Sequence, residues 1–467
     1  MADNNNHSTN DAATLDTQLG TGGFIKRLGE EVRHSPSPKS LSITGYWGAG
    51  KTSALAQLYY ELTNREPVGF STQKHQDNRP KPTDITGIWF EAWRYQNEPV
   101  PIVALLHCIK NHFSTTDKFI DRAGKLVKVS MLGALSVFDG VIKTATGVSG
   151  LDKLQAVGEK FEKDNLLTRL ASDQINDALE KAINVILNEG EQNSYSDKKK
   201  LVIFIDDLDR CEPKAAEKLL EGIKLYLNIA NCTVVMAIDQ KQIEAILSKK
   251  VKDELGVEDG GFYGVEYLEK LCQDTHRLPI PNKKQRNDFL LWQLRQLLTI
   301  SDFDNFVELD SVLTTFDCLP ANPRRLKMLA NRMSSIYRHT AGQKNHLLEA
   351  NKFKENTAVY DLAVLVVSVF SVSYQRIYER LEMSAVFIND IISYCDPADK
   401  NSHDKQVFAG FIKPNNTTGG STLHPSALEV FRLADIFPKT SLKINDKLVD
   451  NVHLGKLLHQ LIGAYNQ

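Results

Sequence analysis

The residues Gly45-Tyr46-Trp47-Gly48-Ala49-Gly50-Lys51-Thr52-Ser53 match G-x-x-x-x-G-K-[ST] at every fixed position. The chemistry open to such a stretch is capture of a polyphosphate. Glycines let the chain wrap until successive backbone N–H groups point into a phosphate-sized nest, and a following helix N-terminus adds positive dipole. Lys51 can then reach the β- and γ-phosphates as a point charge, and the Thr52 hydroxyl stands where Mg²⁺ is ligated. Gly45, Gly48, Ala49, Gly50, Lys51, Thr52 and Ser53 form the expected nucleotide-binding set. Ser53 is read first as a helix N-terminal residue rather than a second metal ligand.

A second constellation lies in Leu201-Val202-Ile203-Phe204-Ile205-Asp206-Asp207-Leu208-Asp209-Arg210. Five unbroken apolar residues ending in an acidic pair describe a central parallel strand buried on both faces. Asp206 is expected to hold Mg²⁺, directly or through water, and Asp207 to orient or deprotonate an attacking water. Acids buried at a strand end without a cation would be costly. Glu91 is the replacement should Asp207 not be the base. Cys232–Asp239 reads as another buried strand, with Asp239 where a sensor would touch the γ-phosphate or the water. The alternative for Asp239 is the N-cap of a helix over Gln240–Leu247. Upstream of the loop, Leu19 is either an adenine contact or part of a plain helix cap.

These side chains need a scaffold. Leu41–Thr44 is short and β-prone before the glycine loop, and Ala54–Leu62 reads as a helix after it. Phe24, Ile25, Leu28 and Val32 recur at helical spacing, and the Ser35–Pro38 turn ends that helix. Phe70–Asp84 is a polar loop. Gly87–Tyr95 reads as a buried strand running into a functional edge, where open α/β sheets place ligands, with Trp93 and Tyr95 packed in the core. Leu166–Asn188 and Pro213–Asn228 read as helices, and His276–Ile280 as the last strand. From Lys283 the pattern turns helical, with Leu362–Val372 a core helix and a Gly-rich loop at Asn415–Ser421.

Leu126–Gly150 is apolar, but Lys128, Asp139 and Lys143 leave too short an uncharged run for the ~20 residues of a membrane span. A buried or hairpin-like helical insertion is expected there, with peripheral membrane contact as the alternative. Two or three packed units are expected from 467 residues. A net charge of -2, from 56 basic and 58 acidic residues, excludes a strongly basic nucleic-acid coat but not a local basic groove. Six cysteines without a Cys-x-x-Cys pair, and no secretory leader, read as a reduced, cytoplasmic protein. The 12 histidines show no metal-ligand spacing.

Several motifs together resemble the KAP family of P-loop NTPases: Gly45–Thr52, Phe90-Glu91-Ala92-Trp93-Arg94-Tyr95, Asp206-Asp207-Leu208-Asp209-Arg210-Cys211, Tyr267-Leu268-Glu269-Lys270-Leu271 and Asn322-Pro323-Arg324-Arg325-Leu326-Lys327. The resemblance covers roughly residues 15 to 340. It implies an ASCE-type α/β ATPase core related to AAA+ and STAND proteins, with a parallel five-stranded sheet, a helical lid, and ATP and Mg²⁺ as cofactors. The expected layout is a disordered N-terminus over 1–14 and a core over 15–281, with a helical insertion at about 105–165. A helical lid over 282–345 and a helical C-terminal domain over 346–467 follow. Arg324 occupies the position of the lid arginine in related ATPases and is expected to face the γ-phosphate. Arg325, turned about 100° around the helix, is expected to point away. Arg94, Arg210 and Arg277 are candidates for a charge supplied between subunits.

Family members often carry transmembrane helices between the two Walker motifs, where Leu126–Gly150 sits. Here such helices are read as absent or degraded, and a membrane is not an expected partner. Bacterial relatives are frequently phage-exclusion or defence proteins. The expected function is an ATPase in which Mg·ATP binding and hydrolysis drive assembly or switching in anti-phage defence. A homo-oligomer or an effector protein is the expected partner. The alternative is a nucleotide-dependent scaffold or sensor that binds a phage protein or nucleic acid, with hydrolysis as the reset. Asp207 beside Asp206, together with the arginine-bearing lid, speaks against a P-loop kinase.

Overall fold

The computed structural model describes residues 13–16, 18–67, 70, 84–98, 100–114, 177, 179–184, 187, 199–255, 260–298, 306–317, 319–395, 442–444 and 447–466. Two compact units emerge. One holds residues 13–17 and 21–279, the other residues 1–12, 18–20 and 280–467.

The first unit is built on five parallel strands: β1 (Lys39–Thr44), β2 (Ile85–Glu91), β3 (Lys200–Asp206), β4 (Cys232–Ile238) and β5 (Asp274–Arg277). Their order is β2-β3-β4-β1-β5, so β4 stands between the strand before the glycine loop and the strand that ends in acids. The period-2 alternation of a strand sorts the side chains to two faces. Leu201, Ile203 and Ile205 join Val234 and Met236 in one apolar cluster. Helices α3 (Pro101–Ser114), α4 (Pro213–Tyr226), α5 (Gln240–Leu255) and α6 (Gly260–Leu271) supply that cluster's other side. Val202 and Phe204 join Val235 and Ala237 on the opposite face, covered by α1 (Gly22–His34) and α2 (Lys51–Thr63). Both faces are thus covered, as a parallel sheet demands.

Where β3 begins, Lys200 is buried and its Nζ donates to the carbonyls of Val32 (3.1 Å), Arg33 (2.8 Å) and Ser35 (2.5 Å). Those carbonyls lie at the C-terminal end of α1, where a cation complements both the orphan acceptors and the dipole. Burial holds the Lys200 ammonium below its ordinary range.

Several strand limits differ from the sequence reading: β1 begins at Lys39 and β2 at Ile85, each two residues ahead of the expected start, and β3 one residue ahead at Lys200. β2 stops at Glu91, and Ala92–Tyr95 form a 3₁₀ turn. Tyr95 does pack inward, stacked on Phe90 with centroids 5.0 Å apart. Trp93 does not, because the turn rotates it outward and leaves it 50% exposed. β5 spans Asp274–Arg277 rather than starting at His276. Among the described residues it is an edge strand that pairs with β1 alone, so backbone register and not an apolar run sets its limits. Within Leu166–Asn188, the described residues between 177 and 187 are helical. Leu126–Gly150, Asn415–Ser421 and most of the expected N-terminal tail lie outside the described residues.

The second unit is helical: α7 (Lys283–Leu297), α8 (Val307–Thr315), α9 (Pro323–Thr340), α10 (Lys344–Ala350), α11 (Ala358–Ser373), α12 (Gln375–Met383), α13 (Phe387–Cys395) and α14 (Asn451–Asn466). A short antiparallel pair, β6 (Leu442–Ile444) and β7 (Lys447–Val449), precedes α14. One apolar cluster runs from Phe289 to Ile462. At its centre α11 is apolar all round, with residues Leu362 to Val367 fully buried. Such a helix is a core element. No helix among the described residues is long and apolar enough to cross a membrane.

Candidate nucleotide site

The loop leaves β1 at the carboxyl edge of the sheet, where the Gly45 N–H donates to the Ile238 carbonyl of neighbouring β4 at 3.4 Å. It closes on itself through Ala49 N–H to Tyr46 O at 3.0 Å. Gly48 and Gly50 have φ of 81° and 92°. A side chain there would cost on the order of 1–2 kcal/mol, which is why the pattern holds glycine. Gly50 caps α2, so Lys51, Thr52 and Ser53 form its first turn, where backbone N–H groups have no helical acceptor. Trp47 sits on the loop 62% exposed.

Lys51 Nζ donates to Gly45 O at 3.0 Å and Tyr46 O at 3.5 Å, and pairs with Asp209 Oδ2 at 3.1 Å. Thr52 Oγ1 donates to Asp206 Oδ1 at 3.2 Å across 154 residues of sequence. The glycine loop and the acidic strand thus meet through two contacts. Asp206 is buried, and its carboxyl is pushed up to about 7 by that burial and then by the charge of Asp207. Burial also raises Asp207, with Asp209 and Glu91 adding to the rise and Arg210 and Lys51 opposing it. Asp207 adopts a left-handed φ of 56°, and its Oδ1 pairs with Arg210 Nε at 3.0 Å. Glu91 ends β2 in register with Asp206 and forms an ion pair with Arg94. Arg277 is exposed at the end of β5. The Cys211 thiol donates to the Asp207 carbonyl at 3.6 Å, and burial drives it up to about 12, so it stays a thiol.

Asp239 caps α5, its Oδ1 accepting the Lys241 N–H at 3.2 Å, while its own N–H donates to Asp209 Oδ2 at 3.0 Å. The helix-cap reading of Asp239 therefore describes a contact that is present. Ser53 Oγ accepts the Thr14 N–H at 3.1 Å. Gln57, one helical turn on, donates to Thr14 O (3.2 Å) and Asp16 O (2.9 Å) and accepts from Thr21 Oγ1 (2.9 Å). A polar side chain in mid-helix so pins the N-terminal segment to α2.

Gly45–Ser53, Asp206, Asp207 and Asp239 thus share one edge of one unit. Leu19 and Arg324 belong to the other. Leu19 packs against its apolar cluster. Arg324 and Arg325 lie in the first turn of α9, where Asn322 Oδ1 accepts both their N–H groups at 3.0 and 3.3 Å. Asp209 and Gln57 are the site residues that the sequence reading gave no role. For Asp209 a signal existed: a third acid just beyond Asp206, after a turn, in a strand-end motif.

Thr52 and Asp206 offer a hydroxyl and a carboxylate oxygen side by side, the hard donors Mg²⁺ takes from protein while phosphate and water supply the rest. A cation there would also offset the repulsion among the acids. The residues present fit the ion.

A phosphate loop between a parallel strand and a helix, facing acids at the end of a strand one removed, defines a P-loop NTPase core. The chain belongs to the KAP family: the sequence model described as "KAP family P-loop domain" matches residues 23–340, ending where α9 ends. A curated relative, the "Phage T7 exclusion protein" of Escherichia coli (strain K12), is 24% identical over 145 residues. That match spans 30% of this chain and 18% of the relative's length. Among solved structures, a Walker-type ATPase of Pyrococcus abyssi aligns over 96% of this chain and 98% of its own, at 11% identity and a TM-score of 0.34. The Drosophila ORC bound to DNA aligns over 91% and 83%, at 14% identity and a TM-score of 0.35.

Proposed function

We propose that this chain binds Mg·ATP at the β1–α2 loop and hydrolyses it slowly, using the cycle to drive assembly or a conformational switch. The observation that carries this reading is the Thr52–Asp206 contact at 3.2 Å, which joins the phosphate loop to the acidic strand. Thr52 and Asp206 would hold the Mg²⁺, which neutralises phosphate charge when bound. Lys51 and the loop N–H groups would bind the phosphates, and Asp207 would orient the water and accept its proton. Slow turnover is favoured because Asp207 is engaged by Arg210 at 3.0 Å. In this reading residues 282–345 act as a lid, with Arg324 as its γ-phosphate contact and Leu19 near the adenine, and residues 346–467 form a helical C-terminal domain.

The name of the curated relative supports anti-phage defence as the setting. There the chain would act in the cytoplasm, as a homo-oligomer or with an effector protein. The test is Mg·ATP binding and turnover in wild type and Asp207→Asn. Binding should persist while turnover falls by about 10²-fold or more, the scale of losing a general base. Unchanged turnover moves the role to Glu91. For the lid, Arg324→Ala should abolish the difference between ATP and ADP responses, and Arg325→Ala should leave it; the reverse outcome shifts the register by one.

A further inference from the structure

Lys51 has its ammonium directed entirely into its own chain. An ammonium carries three donors. Here they face Gly45 O at 3.0 Å, Tyr46 O at 3.5 Å and Asp209 Oδ2 at 3.1 Å. A phosphate oxygen can be met only by releasing one of these. The two carbonyls belong to the loop that carries the lysine. Asp209 belongs to the 3₁₀ turn Leu208–Arg210 after β3, and its same Oδ2 accepts the Asp239 N–H at 3.0 Å. Both side chains of the ion pair are only 10% exposed, so solvent and salt screen it far less than a surface pair.

We propose that Asp209 is a latch: a positioning residue that holds Lys51 and competes with incoming phosphates for its ammonium. This rests on reading the loop as a nucleotide site. A nucleotide polyphosphate brings negative charge to a cation that already has an anionic partner one hydrogen bond away. When Lys51 turns to phosphate, Asp209 keeps the Asp239 N–H but loses its tie to the loop. The turn that follows Asp207 is released at that moment. One carboxylate oxygen therefore couples occupancy of the phosphate site to the catalytic turn and to the start of α5.

Asp209→Asn separates this role from simple bracing. The amide retains an acceptor for the Asp239 N–H and nearly the same volume, and removes only the charge. Calorimetry should show Mg·ATP binding about tenfold tighter than wild type, the factor given by roughly 1.4 kcal/mol. KM should fall in step with the tighter binding. Asp209→Glu, which restores the charge, should return affinity toward wild type. Should the Asn variant not fold, Asp209→Ser offers a smaller neutral acceptor for the same measurement. Unchanged affinity in the neutral variant would leave Asp209 a brace, and weaker affinity would make it an aid to binding; either overturns the latch alone. A wild type that binds no Mg·ATP overturns the nucleotide reading and the latch with it.

Discussion

Two aspartates, one in each unit, are buried and held above the ordinary carboxyl range, yet they are treated in opposite ways. Asp361 on α11 is pushed up to about 6 by burial, with Lys344 and the Tyr337 hydrogen bond pulling it back. Tyr337 Oη donates to its Oδ1 at 2.8 Å. Around that pair, Thr340 and Tyr360 share a hydrogen bond of 2.6 Å, and Lys344 Nζ lies 5.2 Å from the Tyr360 ring centre. Lys344 in turn reaches Glu308 at 3.9 Å. Asp206 has a hydroxyl neighbour too, but its charged neighbours are Asp207 and Asp209, and among the described residues no cation pairs with it. The nearby Lys51 and Arg210 go to Asp209 and Asp207. A buried acid supplied with its own donor and a distant cation is architecture. A buried acid surrounded by other acids lacks that compensation, and a cation from outside would supply it.

That contrast can be broken by removing each charge in turn. Asp206→Asn should cost about 10²-fold or more in Mg·ATP turnover, the scale expected when charge stabilisation at a reacting phosphate is lost. Asp361→Asn should leave turnover within about twofold of wild type. Equal losses in the two variants would erase the distinction. The pH dependence sharpens it. The Asp361 carboxyl starts from 3.8 in the unfolded chain and stands at about 6 in the fold. Below pH 3.8 both states hold the proton, so no penalty exists. Between the two values the unfolded chain ionises first, and stability falls as pH rises. Above about 6 the penalty is complete and constant. Asp361→Asn, which keeps an acceptor for Tyr337, should therefore match wild type near pH 3.5 and exceed it near pH 7.5. The expected gain is on the order of 3 kcal/mol, read by hydrogen exchange across α9 and α11.

A smaller effect should come from Tyr337→Phe, which removes the donor from a buried acceptor and costs about 1–2 kcal/mol in the same measurement. Smallest is Asn322→Ala. Losing the cap on α9 should cost about 1 kcal/mol in thermal unfolding while the sheet-edge contacts of the other unit stay as they are.

The same contrast marks what could be read in advance. The loop was legible because its chemistry is local: glycines, lysine and threonine are consecutive, and the flanking strand and helix carry their own periodicity. β3 and β4 were legible because burial on both faces leaves an unbroken apolar run. α11 announced itself in the same way, as a run too apolar for a surface. Asp209 was not assigned a role because it depends on a left-handed residue, Asp207, and on the 3₁₀ turn that swings position 209 back toward Lys51. Gln57 acts through a segment more than forty residues upstream, which no local pattern marks. Trp93 misled because an aromatic run beside a strand suggests burial, whereas β2 has already ended at Glu91.

One feature of β3 bears on the mechanics of the sheet. Its first residue is tethered by Lys200 to the end of α1, and its last by Asp206 to the start of α2. In mechanical language the strand is a strut bolted at both ends, with its hydrogen-bonded neighbours on either side preventing sideways drift. A strut of that kind transmits force but does not slide. The turn beyond Asp206, Leu208–Arg210, is held differently, by the ion pairs of Asp209 with Lys51 and of Arg210 with Asp207, so a load on the strut's end would meet charge rather than ladder there.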